Sequence, residues 1–160
     1  MLPVSCILRR DIEVRQFQRD SLERILAIER HSFGRDAWNR KLFLHYFREC
    51  PGLFLVAIVG RRIAGYIIAC AESRNAELAS IAVDSRDRRQ GVGRALLDDT
   101  LARLRAHGIK TWWLMVEVAN EPAIQFYEKY GFTRTRRVKG YYGPGRDAWR
   151  MRLTATTTNR

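Results

Sequence analysis

The chain has 160 residues, is 46% hydrophobic, and carries 29 Lys and Arg against 17 Asp and Glu, a formal net charge of +12. That is the length of one ordinary domain with apolar residues enough for a core, which excludes a disordered polymer, and no apolar run approaches the ~20 residues of a membrane span. The basic balance, with arginine far outnumbering lysine, suits anionic ligands; no zinc-finger spacing, RNP-type aromatic motif or Lys/Arg run accompanies it, so nucleic acid is not expected as the primary ligand.

In residues 1–10 the arginines follow a short apolar piece, the reverse of a secretory signal, so a cytoplasmic protein is expected. Cys6, Cys50 and Cys70 are odd in number and widely spaced, and read as reduced thiols buried as small apolar side chains. Residues 12–17 alternate like a half-buried strand. Asp20-Ser21 offers an N-cap to a helix with Leu22, Ile25, Leu26 and Ile28 on one face, which Phe33-Gly34 interrupts. A second helix is expected at about 38–50, stopped by Pro51-Gly52. Residues 53–59 and 63–70 are apolar runs either side of Gly60-Arg61-Arg62, hence a hairpin, and 76–83 continues the sheet.

A long amphipathic helix follows at about 92–107, with Gly108 as its C′ residue, and then a strand at 111–118. Asn120 caps the next helix, Pro122 sits in its first turn, and Tyr130-Gly131 ends it. Residues 132–139 and 147–153 read as closing strands around a glycine-rich loop. The chain is thus expected to be one α/β domain over 1–160, its core at about 11–153 and its ends (1–10 and 154–160) flexible. The order β-α-α-β-β-β-α-β-α-β-β implies a mixed sheet of about seven strands and four helices rather than a doubly wound one.

Between the 76–83 strand and the long helix lies Arg88-Arg89-Gln90-Gly91-Val92-Gly93-Arg94. Two glycines let the backbone turn tightly and approach a ligand, and the helix behind them points unpaired N–H groups and a positive dipole end into the turn. This is a cradle for a pyrophosphate. There is no G-x-x-x-x-G-K-[ST], and no third glycine for a dinucleotide fingerprint.

A strand, then R-x-x-G-x-G, then a helix resembles the acetyl-CoA loop of the GNAT acyltransferase superfamily. The run Asn120-Glu121-Pro122-Ala123-Ile124-Gln125-Phe126-Tyr127-Glu128-Lys129-Tyr130-Gly131-Phe132 matches that superfamily's N-x-x-A-x-x-x-Y-x-x-x-G-F pattern. Within it the chain is most similar to the ribosomal-protein-alanine and other protein N-terminal acetyltransferases. The residues that carry this are Glu29-Arg30-His31-Ser32-Phe33 with Trp38, Ser80-Ile81-Ala82-Val83, and Lys139-Gly140-Tyr141-Tyr142 followed by Gly145-Arg146-Asp147-Ala148 and Met151.

The resemblance implies acetyl-CoA as cosubstrate and direct attack by an amine in a ternary complex. Backbone groups of Ile81, Ala82 and Val83 would pair with pantetheine as an added strand would. Arg88, Arg89, Gln90, Gly91, Val92, Gly93 and Arg94 would hold the pyrophosphate, with Asn120 as cap and further cofactor contact. Tyr127 would protonate the departing thiolate; its plainer reading is a half-buried core tyrosine, a part that Phe126 or Tyr130 could play instead. The general base is open. The family often has Glu or His five residues before the asparagine, where this chain has Met115, which accepts no proton. Glu77, fourteen residues before Gly91, is the first candidate and Glu117, on the face of Met115, the alternative; no essential base is the third reading. Tyr141 and Tyr142 would clamp the first residues of a peptide against Phe33 and Gly34, where Gly34 replaces a common proline.

The implied acceptor is the N-terminal α-amine of a protein, including the ribosomal type. A small-molecule amine or a lysine side chain is the alternative within the class, and a non-catalytic CoA-binding or ribosome-associated module the alternative outside it. His31, His45 and His107 have no ligand spacing and are assigned no metal.

Overall fold

The computed structural model describes residues 11–156. The expected order appears: β1 (Ile12–Gln16), α1 (Leu22–Phe33), α2 (Arg40–Glu49), β2 (Phe54–Val59), β3 (Arg62–Glu72), β4 (Asn75–Val83), α3 (Val92–Ala106), β5 (Thr111–Glu117), α4 (Glu121–Tyr130), β6 (Thr133–Val138) and β7 (Ala148–Thr154). The strands form a seven-stranded sheet in the order β1-β2-β3-β4-β5-β7-β6. All neighbours are antiparallel except β4 and β5. No helix among the described residues is long and apolar enough to cross a membrane.

The continuous apolar run of β2 is explained by helices on both faces of the sheet. Leu55 and Ala57 point to one core with Leu96, Leu97, Leu101, Ile124 and Trp112, under α3 and α4. Phe54, Val56 and Ile58 point to the other, with Leu22, Ile25, Leu26 and Phe43 of α1 and α2. Ring stacking fixes the second core, Phe17 lying 4.1 Å from Phe54 centroid to centroid and Phe43 edge-on to Tyr66 at 5.4 Å.

The helix ends follow the sequence with two exceptions, at the starts of α1 and α2. Asn120 accepts from the Ala123 N–H to cap α4, and Gly131 ends that helix at φ +115°. After α3 the N–H of Gly108 reaches the Arg105 carbonyl and that of Ile109 the Leu104 carbonyl, a Schellman closure. At α1, however, Ser21 does not cap. A short 3-10 turn (Arg19–Ser21) precedes the helix, Ser21 is itself helical, and its hydroxyl turns to Asp20 Oδ1 at 3.2 Å. Helix α2 starts two residues later than expected because Asn39 caps it through Leu42 N–H.

Two expectations are corrected. Cys50 and Cys70 are joined in a disulfide rather than held as free thiols, their Cα atoms 5.2 Å apart. Cys50 ends α2 and Cys70 lies opposite Glu77 in the β3–β4 register, so folding brings together thiols 20 residues apart. Cys6 lies outside the described residues. The C-terminal tail also begins later than expected: Thr154 is in β7 opposite Thr111, and Ala155 donates to the Lys110 carbonyl at 2.8 Å. The expectation of flexible ends at 1–10 and 157–160 falls outside the described residues.

Candidate active site

The site is created by a fault in the sheet. In the β3–β4 ladder Ile68 faces Ser80 and Ala69 faces Leu78, which leaves Ala79 of β4 without a partner. A bulge of this kind bends its strand and strengthens the local twist. The parallel pairing of β4 with β5 accordingly stops at Glu77 opposite Trp113, although β4 runs on to Val83 and β5 to Glu117. Beyond that rung the two strands part. A cavity of about 430 Å³ fills the gap, lined by Glu77 through Ile81 on one side and by Met115, Val116 and Glu117 on the other. Asn120, Ala123 and Tyr127 of α4 close one end; Phe33, Trp38, Tyr46, Tyr141, Tyr142 and Arg146 form the opposite mouth. Another depression, over α2 between Asn39 and Arg48, brings none of the expected site residues together.

The glycine turn stands at the far end of β4. Gly91 has φ +85°, a left-handed conformation that suits glycine, and Arg89 joins it at +59°. Ala95 is the first residue of α3 whose N–H finds a backbone partner, the Gly91 carbonyl. Among the described residues no hydrogen bond is found for the backbone N–H groups of residues 88–94, which leaves them available to a ligand. Gly93 packs closely, since a Cβ there would meet the Phe126 ring at 3.4 Å. The Arg88 guanidinium folds back on the Val83 carbonyl at 3.1 Å and so ties the turn to the end of β4. A diphosphate fits this cradle: it offers acceptors to the free amides and charge to the positive end of a four-turn helix.

The two candidate bases differ in surroundings. Glu77 is half-buried in the cavity wall, and its carboxyl is pushed above the ordinary range, first by burial and then by Glu72 nearby, with Arg150 opposing. Glu117 is tied up. Arg146 grips both its oxygens, at 2.7 and 2.8 Å, and also holds Asp36 at 2.8 and 3.1 Å, so Glu117 is held below the ordinary carboxylate range. Met115 lies between them on the floor, as the alternation of β5 requires.

Tyr127 is buried, its phenol pushed well above its ordinary value by desolvation. It keeps its proton at any physiological pH. Tyr130, by contrast, points away to Asp98, and Phe126 packs on Gly93, so of the three aromatic residues only Tyr127 lines the cavity. Tyr142 is raised to about 12 by burial and by Tyr141, and its hydroxyl donates to the Met115 carbonyl at 3.3 Å. Tyr141 and Phe33 are exposed large aromatics on opposite lips of the mouth. Gly34 does not line the cavity; at φ +54° it ends α1 and turns the chain toward Asp36 and Trp38.

Sequence reasoning gave no role to a buried polar chain behind the mouth. Glu29 is 1% exposed, yet its carboxylate accepts from the Trp38 N–H at 2.8 Å and from the Tyr66 hydroxyl, which also meets Ser80 Oγ at 3.0 Å. Burial raises its pKa against the lowering effect of those two donors. The signal was present: Leu22, Ile25, Leu26 and Glu29 share one helical face, and a carboxyl there is out of place in an apolar stripe. Arg146 had no such signal, because its partner Asp36 is 110 residues away.

Comparison with known proteins agrees with this geometry. Residues 18–132 match the acetyltransferase (GNAT) family. The N-alpha-acetyltransferase of Saccharolobus solfataricus is 30% identical over 155 residues, covering 89% of this chain and 92% of the relative. The [ribosomal protein bS18]-alanine N-acetyltransferase of Escherichia coli is 38% identical over 105 residues, 66% of this chain and 70% of the relative. Among solved structures, Ard1 from Thermoplasma volcanium superposes with a TM-score of 0.86 at 33% identity, covering 91% of this chain and 99% of that one.

Proposed function

The chain belongs to the acetyltransferase (GNAT) family, and from that premise we propose that it transfers acetyl from acetyl-CoA to the N-terminal α-amine of a protein. One observation carries the reading. The bulge at Ala79 parts β4 from β5, and the gap so made has free amides beyond one end and a half-buried carboxylate with an aromatic-lipped mouth at the other. A long ligand with a diphosphate tail and a reactive head fits that line.

In this reading residues 88–94 hold the diphosphate, chiefly by backbone N–H groups. The backbone of Ile81, Ala82 and Val83, which has lost β5 as a neighbour, offers strand-like hydrogen bonds to the pantetheine amides. Acetyl-CoA supplies the thioester. Glu77 takes the proton of the ammonium, through a water where the gap requires it, and the neutral amine forms the new C–N bond. The C–S bond breaks as Tyr127 gives its proton to the departing thiolate, and the second proton, shed by the acylated nitrogen, restores the phenol, whose protonated form burial favours. Asn120 holds the start of α4 and thereby the position of Tyr127. Glu117 is reassigned from alternative base to structural partner of Arg146, which joins the lip at Asp36 to β5. Phe33 and Tyr141 enclose the first residues of the acceptor, with Tyr142 anchored beneath them.

The mouth carries Phe33 and Tyr141 as exposed aromatic surface, which suits the side chains of a peptide and favours it over a small amine. Ribosomal proteins are one such acceptor class, in keeping with the E. coli relative. Intact-mass analysis of acetyl transfer onto a panel of free peptide N-termini, lysine side chains, polyamines and aminoglycosides tests the assignment. Single acetylation of peptide N-termini is expected. Reaction confined to small amines would refute it, and tight acetyl-CoA binding without transfer to any amine would leave only a binding module.

A further inference from the structure

The face of the sheet that floors the mouth continues past the cavity. Across β5, β7 and β6, Met115 stands beside Arg150 and Arg150 beside Arg136; one row along, Trp113 stands beside Arg152. Helices α1 and α2 cover this face only over the first half of the sheet, so Arg136 and Arg152 are exposed. The arginines of β6 on the opposite face are neutralised, Arg134 by Glu128 and Arg137 by Asp147. On this face no carboxylate among the described residues lies within ion-pair distance of Arg136, Arg150 or Arg152. The Arg150 guanidinium is held over the Trp113 ring, 4.4 Å from its centroid, and is thus already placed. Glu72 and Glu77 lie on the other side of the mouth. The entrance therefore has an acidic edge suited to an ammonium and a basic edge leading away from it.

We propose that this basic face receives the acceptor chain just beyond its N-terminus and selects acidic residues at about its third to sixth positions. The inference rests on the peptide-acceptor reading above. Adjacent strands are ~4.8 Å apart, so Met115 to Arg136 is about 10 Å, the length of three extended residues. With the first two residues enclosed by the cavity, the following side chains fall on Arg150, Arg136 and Arg152. Exposed ion pairs of this type change affinity by about two- to fivefold each.

The test uses peptides with the same first two residues and Glu, Gln or Lys at positions three to six, assayed with the wild-type chain and with Arg136→Gln/Arg152→Gln. With the two exposed arginines, Arg136 and Arg152, both paired, acidic peptides are expected to exceed neutral ones in kcat/KM by about four- to twenty-five-fold, chiefly through KM. The preference should shrink between about 50 and 300 mM salt. The double variant should lose most of it while keeping kcat on the neutral peptide. Equal kcat/KM for acidic and neutral peptides, or a preference untouched by the variant, overturns the proposal while leaving peptide acetylation intact. Inhibition by a single-stranded oligonucleotide with the same arginine dependence would give the face to nucleic acid instead and overturn it also. Transfer to no peptide at all would overturn the peptide-acceptor reading, and this inference with it.

Discussion

Replacing Glu77 by Gln keeps the size of a half-buried side chain in the cavity wall and removes only its ability to accept a proton. Its size follows from the acceptor. An α-amine has a pKa of ~8, so at pH 7 about a tenth of it is neutral and at pH 9 about nine tenths. General base catalysis contributes ~10²–10⁴-fold, and a base acting through one water belongs at the low end. The variant should therefore lose about 100-fold in kcat/KM at pH 7, or about 2.7 kcal/mol of transition-state stabilisation. At pH 9 the amine arrives deprotonated and the loss should shrink to about tenfold. The wild-type rate should rise with pH through the Glu77 pKa, which burial and Glu72 place above the ordinary carboxylate value, and then level off. The variant should instead climb with unit slope toward the pKa of the amine. Initial-rate assays between pH 5.5 and 9.5, as plain experimental limits, would record both limbs, with acetyl-CoA affinity measured in parallel. A variant with wild-type rates and an unchanged profile would refute the role given to Glu77, and a loss of acetyl-CoA binding would mean that it acts on the cosubstrate.

Tyr127→Phe should lower kcat by about 10²-fold or more with acetyl-CoA binding retained, since only the proton for the thiolate is lost; steady-state rates beside calorimetric binding would check it. Tyr66→Phe removes one donor from the buried Glu29 carboxylate and should cost about 1–3 kcal/mol, lowering Tm by about 3–10 °C. Because burial already raises the Glu29 pKa, this penalty is absent below the carboxylate pKa of the unfolded chain and grows as pH rises through the value in the fold; melting curves at pH 5 and 8 should differ accordingly. Reducing the Cys50–Cys70 bond, which closes a loop of 20 residues, should cost about 3 kcal/mol on the chain-entropy account. The wild type should then melt lower with reductant, whereas Cys50→Ser/Cys70→Ser should not respond to it.

Much of this protein is written locally. Periodicity gave every strand and helix to within a few residues, and Asn120, Gly108 and Gly131 placed helix ends because capping depends on neighbours a few residues away. Gly91 and Gly93 likewise announced a turn with free amides, a property of the backbone itself. What the sequence left open are contacts between distant segments. Glu77 and Glu117 are alike as carboxylates in strands and both line the cavity; only tertiary structure ties one of them, Glu117, to an arginine and leaves Glu77 with its pKa raised by burial. Arg146 reaching Asp36, Cys70 meeting Cys50, and β4 leaving β5 at Ala79 all depend on how the sheet twists and on what it brings side by side. A cap or a turn is decided by energies within one stretch of chain, whereas the charge and reactivity of a side chain are set by neighbours that arrive only when the whole domain closes.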